Sequence, residues 1–187
     1  LSHLYCAWPM TETQNNEELR KACMQAVENR ASENEASHAL VHRSLIAARL
    51  KDRDALTQAL TDLMNSKIYY NSLMTNHDFD RGSCYCTDFA IGYLGILSES
   101  LAFSDTGVIE ILPCLPNSGF DAGEITGIRA RTRALINDLK WDTAAGTASV
   151  TVTSDIAQTI EISCGLSGET QSIAFAAGET KTIEFTF

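Results

Sequence analysis

The hydrophobic pattern of the chain changes from a helical to a strand period near residue 106. Before that point, apolar residues recur at every third or fourth position and predict amphipathic helices over about 17–30, 37–50 and 54–67. A further helix is predicted over 89–103, where apolar residues lie on nearly every side, so we expect it to be buried over most of its surface. The short connections between the first three helices favour antiparallel neighbours.

From Gly107 onwards, apolar and polar residues alternate, which is the period of a β-strand with one buried face. The pattern predicts seven strands, with the sequences VIEILP, GEITGIRARTRA, LINDLKW, TASVTVTS, QTIEISC, QSIAFA and KTIEFTF. The predicted inward residues include Val150, Val152, Ile160, Ile162, Ile183, Phe185 and Phe187. Many short strands separated by turn-forming glycines indicate an antiparallel β-sandwich rather than a parallel α/β sheet.

Together these patterns predict an α+β, multidomain chain. With 187 residues there is room for one or two domains, and we expect a helical domain over 1–106 and a β-sandwich domain over 107–187. Residues 68–87 have no sustained period; they hold three tyrosines and the charged or titratable residues His77, Asp78, Asp80 and Arg81. A loop of this length inside a compact domain is usually functional or disordered, and its aromatic content favours a functional loop.

The charge of the chain argues against two classes of partner. Its formal net charge is −10 and its isoelectric point is near 4.8, without a large basic cluster to neutralise nucleic acid or an anionic membrane surface. Arg129, Arg131 and Arg133 alternate on one predicted strand and therefore share a face, which favours a solvated or ion-paired surface. No apolar segment reaches the roughly 18 to 20 residues that a membrane span needs. Neither nucleic acid nor a membrane is predicted as a partner.

The cysteines show no repeated spacing and so no legible disulfide framework; they are Cys6, Cys23, Cys84, Cys86, Cys114 and Cys164. Cys84 and Cys86 lack a second pair to complete a zinc site, so buried free thiols are the favoured interpretation. Free thiols favour a reducing compartment such as the cytoplasm. The chain begins at Leu1 in a segment that looks interrupted, so we expect a piece of a longer protein. Secretion stays open, because a signal peptide would lie upstream.

Three polar residues share one predicted helix face. Glu35, His38 and His42 are spaced i, i+3 and i+7, and this spacing would allow three metal ligands to point the same way. No matching Glu or His signature occurs elsewhere in the chain. A polar strip that faces a cleft or solvent is therefore the favoured interpretation, and no metal or cofactor is predicted.

Two further residues are candidates with competing interpretations. His3 lies beside Tyr5 and Trp8, which is compatible with a structural histidine or with a sugar site in which aromatic faces stack and the histidine donates a hydrogen bond. Asp88 begins the apolar helix, where an N-cap is the default role for an aspartate. The chain has no nucleophile elbow, phosphate loop or dinucleotide fingerprint. Residues alone therefore do not name a reaction.

Five segments together resemble parts of a known enzyme family. LSHLY at residues 1–5 is similar to the end of the family motif HRHLSHLY. The sequence ARL at residues 48–50 is similar to the end of a helix in the family. The family's acidic turn Q-I-D-G-N-F-G falls on residues 86–92, with its Asp at Asp88, and leads into an apolar helix in which Glu99 also fits. GVIEILPCLP and GEITGIRARTRAL are similar to the family's G-x-I-x-L-L-P-A-L-P and G-x-x-x-G-L-R-A-R-G-G-F. The chain thus resembles the C-terminal part of glycoside hydrolase family 95, the inverting 1,2-α-L-fucosidases with some α-L-galactosidases.

The resemblance implies a fold and a role for one residue. It implies the last helices of an (α/α)6 six-hairpin barrel, followed by a C-terminal, jelly-roll-like β-sandwich. The general acid in such enzymes is a Glu in earlier helices, and an Asp at the position of Asp88 polarises an Asn that serves as the base toward water. Asp88 is then the catalytic candidate in this chain, and its partners would lie upstream of Leu1. The chain alone is expected to be inactive, with a carbohydrate as the substrate of the longer protein.

The chain departs from the family pattern at the sugar site. Phe89, Ala90 and Ile91 replace G-N-F, and His38 and His42 occupy positions that are aromatic in the family helix, so these histidines and His3 are the substrate-binding candidates. Two alternatives remain. One is a non-catalytic carbohydrate-binding or scaffolding piece in which Asp88 only caps its helix. The other is a different (α/α)6 glycosidase, such as an α-L-rhamnosidase.

Overall fold

The structure is a computed structural model that describes residues 2–30, 36–65, 77 and 85–187. It divides into two compact units, Leu1–Ser100 and Leu101–Phe187. The first is helical in its described part and the second consists of strands and turns, so the predicted α+β class is confirmed. The division lies between Ser100 and Leu101 because a strand, Ala102–Asp105, follows the last helix directly and pairs within the second unit.

The first unit contains all four predicted helices. They are α1 (Glu17–Glu28), α2 (Ser37–Leu50), α3 (Arg53–Asn65) and α4 (Thr87–Leu101), preceded by short 3-10 helices at Ser2–Leu4 and Glu12–Gln14. The side chain of Asn16 caps α1 by accepting a hydrogen bond of 2.9 Å from the amide of Leu19. Helix α2 ends where Lys51 takes a left-handed conformation with φ 60°. None of the helices in the described ranges is long and apolar enough to cross a membrane.

Helices α2 and α4 differ in how much of their apolar surface is covered. Most side chains of α2 are buried, including Leu40, Leu45 and Ile46. On α4, Phe89 and Ile96 are buried, but the side chains of Ile91 and Leu94 are 74% and 65% exposed. The prediction that α4 is buried on most sides is therefore wrong for the described chain, because no described residue covers this face.

A glycine allows α4 to approach α2 closely. A Cβ atom at Gly92 would lie 2.6 Å from Cγ1 of Val41, closer than two carbon atoms can approach. At Gly95, by contrast, a Cβ atom would lie 3.8 Å from Cδ2 of Leu45, an ordinary van der Waals distance. The position of α4 beside α2 thus requires the absence of a side chain at residue 92.

The second unit contains two four-stranded sheets. Its strands are β1 (Ala102–Asp105), β2 (Val108–Ile111), β3 (Ala122–Ala130), β4 (Ala134–Asp142), β5 (Thr147–Ser154), β6 (Gln158–Cys164), β7 (Thr170–Phe175) and β8 (Thr180–Thr186). One sheet has the order β1-β2-β6-β7 and the other β3-β4-β5-β8. Strands β2 to β8 correspond to the seven predicted strands. The prediction of a wholly antiparallel arrangement is wrong at one place, because β2 and β6 pair in parallel with Ile109 opposite Ile162.

Side chains of both sheets share one hydrophobic core. The inward positions predicted from the alternation are confirmed for Val150, Val152, Ile160, Ile162, Ile183 and Phe185, all of which are buried. Phe187 was also predicted to point inward, but its side chain is 40% exposed. Strand β8 ends at Thr186, so Phe187 lies beyond the alternation that buries Ile183 and Phe185.

The three arginines of the basic run do not share one strand, contrary to the prediction. Arg129 lies in β3, whereas Arg131 and Arg133 lie in the turn that joins β3 to β4, and Arg133 has φ 54°. The chain reverses direction within the run, which removes the alternation. Arg129 forms an ion pair with Asp155, so it is part of an ion-paired surface.

The cysteines in the described ranges are not joined in disulfide bonds. Cys23, Cys86, Cys114 and Cys164 are buried and Cys6 is half-buried. This agrees with the interpretation of buried thiols for those residues. Cys84 lies outside the described residues, so the spacing of Cys84 and Cys86 stays an observation on the sequence.

The contact between α2 and α4 leads to a prediction about stability. Replacing Gly by Ala inside a helix normally stabilises it by up to about 1 kcal/mol, whereas overpacking costs about 1–3 kcal/mol. Gly92→Ala should therefore lower the free energy of unfolding, while the control Gly95→Ala should leave it unchanged or raise it. Urea unfolding followed by far-ultraviolet circular dichroism measures both. Val41→Ala should cost less in the Gly92→Ala background than alone; equal costs would show that the two side chains do not meet.

Candidate functional site

A cavity of about 390 Å³ lies in the first unit and is lined by α2, α4 and the segment that precedes α1. Its lining residues are Trp8, Val41, His42, Leu45, Thr87, Asp88, Ile91, Gly92, Gly95 and Glu99. The walls are largely apolar, with a small number of polar groups at separate points. This composition is typical of small-molecule sites in proteins.

Asp88 lies in the first turn of α4 at one end of this cavity. The helix begins at Thr87, so Asp88 is its second residue and Cys86 occupies the cap position. Negative charge is favourable at this place because the amide dipoles point their positive ends toward it. The Asp88 side chain is exposed, and no hydrogen bond joins it to another residue in the described ranges.

One stripe of α4 faces the cavity. Asp88, Gly92, Gly95 and Glu99 are spaced i, i+4, i+7 and i+11, which places them on one side of the helix over three turns. The two glycines leave the middle of the stripe without side chains. The cavity therefore extends between a carboxylate at each end, with Val41 and Leu45 of α2 opposite the glycines.

The carboxylate of Glu99 is held by Arg49 at the other end of the stripe. The guanidinium Nε donates to Oε2 at 2.6 Å and Nη2 donates to Oε1 at 3.0 Å, so both carboxylate oxygens are occupied. Arg49 and Glu99 are only 1% and 8% exposed. Arg49 Nη1 also donates to the carbonyl oxygen of Met10 at 3.2 Å, and Gln14 Nε2 donates to the Arg49 carbonyl oxygen at 2.7 Å. The pair thus joins α2, α4 and the segment that carries Trp8.

His42 forms the polar part of the wall contributed by α2. The rings of His42 and Trp8 are arranged edge to face, with their centroids 5.6 Å apart. The rings of His42 and His38 are tilted relative to each other, with their centroids 4.7 Å apart. Burial and the neighbouring charge of His38 lower the pKa of His42, while the carboxylate of Asp88 acts in the opposite direction. His42 is therefore a neutral imidazole at neutral pH and can both donate and accept a hydrogen bond.

The structure brings together some of the predicted site residues. Asp88 and His42 line the same cavity, whereas His38 is exposed one helical turn before His42 and contacts it ring to ring. The His38 ring also stacks at 6.3 Å with that of His77. His3 is exposed in its 3-10 helix and does not line the cavity.

Other predictions for the site fall partly outside the described residues. Glu35 lies outside the described residues. Of the loop at 68–87 that was predicted to be functional, only His77 and residues 85–87 are described. Within the described ranges, no group of three or more His, Cys, Asp or Glu residues could hold a metal ion.

Sequence reasoning missed the role of two residues that shape the site. Glu99 was noted only as fitting the family helix, and Arg49 only as part of the ARL segment. A charged residue inside each of two strongly apolar helices was the available signal, because such charges are rarely buried unless they are paired. The spacing within either helix does not show that the two side chains meet.

Two family models match the chain and together span nearly all of it. The glycosyl hydrolase family 95 catalytic domain matches residues 1–101, and the glycoside hydrolase family 95 C-terminal domain matches residues 103–186. The chain belongs to glycoside hydrolase family 95. The cavity lies wholly within the part that matches the catalytic domain. A search of curated proteins found no match.

The environment of His42 leads to a prediction about pH. Since the pKa of His42 is lowered in the folded protein, the unfolded chain takes up a proton first as the pH falls through its ordinary value of 6.5. The folded protein should therefore lose stability between about pH 7 and pH 5. In His42→Gln this loss should be smaller, while in the exposed-site control His3→Gln it should match the wild type. Urea unfolding at several pH values measures the difference; equal pH dependence in wild type and His42→Gln would contradict it.

Proposed function

We propose that this member of glycoside hydrolase family 95 acts in hydrolysis of α-L-fucosides or related sugars with inversion of configuration. In this proposal the helical unit, Leu1–Ser100, supplies the last helices of an (α/α)6 barrel, and the strand unit, Leu101–Phe187, is the C-terminal jelly-roll-like sandwich. Support comes from the two family matches in that order and from the single core shared by the two sheets. The family match favours this proposal over an α-L-rhamnosidase.

The observation that carries the proposal is that one cavity collects Asp88, His42 and Trp8. Aromatic rings pack against the C–H faces of sugars, and a neutral imidazole can bind a hydroxyl group as donor or acceptor. A carboxylate accepts hydrogen bonds from hydroxyl or amide groups. The three groups thus supply the kinds of contact that a sugar ring requires, and His3 and His38 remain candidates for contacts outside the described cavity.

In the proposed mechanism Asp88 acts on the base rather than on the sugar. Inversion requires an acid on one face of the sugar and a base with its water on the other. The family resemblance supplies both: a Glu acid and an Asn base in a part of the enzyme upstream of Leu1. Asp88 would accept a hydrogen bond from the Asn side-chain amide, which increases the electron density on the amide oxygen that receives the proton from water.

A second candidate function has one observation in its favour. The residues that replace the family's G-N-F after the acid include Ile91, whose large apolar side chain is mostly exposed at the cavity. If this change abolishes the water site, the protein would bind a carbohydrate without hydrolysing it. Asp88 would then have only a structural role in its helix.

The first functional prediction concerns the chain by itself. Since acid and base must both be in hydrogen-bond reach of the reacting atoms, the purified 187-residue chain should release no fucose from a 2′-fucosyl substrate. The longer enzyme should release it under the same conditions, and this serves as the positive control. Release of fucose by the chain alone would show that the roles are assigned wrongly.

The second functional prediction concerns Asp88 in the longer enzyme. Asp88→Asn should lower kcat by about 10²- to 10⁴-fold, since loss of the charge leaves the base without its polarising partner. Folding should change little, because Asn is almost isosteric with Asp and loss of a negative charge from the first turn of a helix costs only about 0.3–1 kcal/mol. The matched control is Glu18→Gln, which removes an exposed acid from the first turn of α1, away from the cavity. Wild-type kcat in Asp88→Asn would remove the catalytic role and favour the second candidate function.

A further inference from the structure

Two thiols of the first unit lie in contact outside the cavity. The Sγ atoms of Cys6 and Cys23 are 3.5 Å apart. Cys6 belongs to the segment before α1 and Cys23 to the middle of α1, and both pack into one apolar cluster with Leu4, Ile46 and Leu50. The proposed glycosidase mechanism does not use either residue.

The distance between the two sulfurs is suitable for bond formation. A disulfide bond is about 2.05 Å long, so the sulfurs would need to approach by roughly 1.5 Å. Among the described residues, Cys23 is the single fully buried residue of α1, so little of the packing on this helix opposes such a movement.

The two thiols differ in their exposure, which sets an order of reaction. Cys6 is half-buried and within reach of a small oxidant, whereas Cys23 is buried. Burial and the hydrogen bond with Cys6 raise the pKa of Cys23 to about 11, so Cys23 remains a protonated thiol at neutral pH. Oxidation should therefore begin at Cys6.

We propose that Cys6 and Cys23 form a redox modification site that a hydroperoxide converts into a reversible disulfide. The Cys6 sulfur attacks one oxygen of hydrogen peroxide, the O–O bond breaks, and Cys6 sulfenic acid and water are formed. The Cys23 thiol then gives up its proton, and its sulfur attacks the Cys6 sulfur. The S–O bond breaks, and the departing hydroxide takes up that proton to leave as a second water. Because the pKa of Cys23 is raised, this second step is the slower one. In total, two thiols and one peroxide give one disulfide and two waters.

The disulfide would fix the segment that forms one wall of the cavity. Trp8 lies two residues after Cys6 and lines the cavity. Two residues further on, the carbonyl oxygen of Met10 accepts a hydrogen bond from Arg49. A disulfide between Cys6 and Cys23 would attach the beginning of this segment covalently to α1. The hydrogen bond from Arg49 to Met10 already attaches its end to α2. This inference is independent of the proposed glycosidase activity, since it concerns only the bond and the rigidity of the segment.

The first test locates the bond. The reduced chain is treated with equimolar hydrogen peroxide, remaining thiols are alkylated, and tryptic peptides are analysed by mass spectrometry. We expect the peptide of residues 1–20 joined to that of residues 22–30, at a mass lower by two hydrogen atoms than the sum, and lost on treatment with dithiothreitol. Cys164→Ala, which removes a buried thiol of the second unit, should retain the linked peptide.

Two outcomes of this test would overturn the proposal. One is a folded wild-type chain in which Cys6 reaches the sulfinic or sulfonic acid while Cys23 is alkylated. The other is a chain in which neither thiol has reacted with peroxide, so that both Cys6 and Cys23 are found alkylated. Cys23→Ala provides the reference for the first outcome, since Cys6 then lacks a resolving thiol and should be oxidised further.

The second test measures the segment itself by hydrogen exchange. The amides of Ala7, Trp8 and Met10 are bonded to carbonyl oxygens of Leu4 and Tyr5, and their exchange reports opening of this turn. Exchange in residues 2–14 should be about tenfold slower in the oxidised chain, with residues 147–187 unchanged as an internal reference. A linked peptide with unchanged exchange in residues 2–14 would overturn the claim that the bond fixes the cavity wall.

Discussion

The first unit depends on one buried ion pair, Arg49 with Glu99. Removing two charges from water costs several kcal/mol per ion, and this cost is offset only when the geometry is good and the remaining donors are satisfied. Both conditions hold here: the two charges meet through two short hydrogen bonds, and a further guanidinium nitrogen reaches the carbonyl oxygen of Met10. Loss of either partner alone would leave an unpaired buried charge, which typically costs about 3–5 kcal/mol. The pair therefore holds three parts of the chain in one arrangement: α2, α4 and the segment before α1.

The position of Asp88 follows from that arrangement. Glu99 fixes the C-terminal half of α4, and Gly92 allows the helix to lie against Val41 of α2. Because an α-helix is stiff over four turns, these two constraints also determine where its first turn lies. Asp88 then reaches the cavity that His42 and Trp8 enter from the other two elements. Gly92 and Gly95 both line this cavity, so the middle of the α4 stripe adds no side chain to it.

Periodicity predicted the elements well, since each period reflects local geometry and one buried face. It failed where the relevant information is not local. Strand β1 was missed because Ala102 and Phe103 continue the apolar run of α4 without a turn residue. The parallel pairing of β2 with β6 joins segments some fifty residues apart, and nothing in either segment specifies its direction. The turn at Arg131 and Arg133 was not predicted, because arginines at every second position are also what a strand with one polar face would show. The Arg49–Glu99 contact joins residues fifty positions apart and was likewise invisible in the spacing of either helix.

For the candidate site, the sequence suggested individual residues but could not show which of them line one cavity. Asp88 and His42 were recognised from a family turn and a helical spacing, whereas the meeting of His42 with Trp8 depends on the fold. The structure adds a reason to prefer Asp88 over the other carboxylate of the cavity. Both oxygens of Glu99 accept hydrogen bonds from the Arg49 guanidinium, so this carboxylate is already engaged in a buried ion pair. Asp88, in the first turn of α4, lines the cavity with an exposed side chain, and no hydrogen bond from another described residue occupies its carboxylate oxygens. A fixed negative charge of this kind suits a group that orients and polarises a neighbouring amide rather than one that exchanges a proton itself.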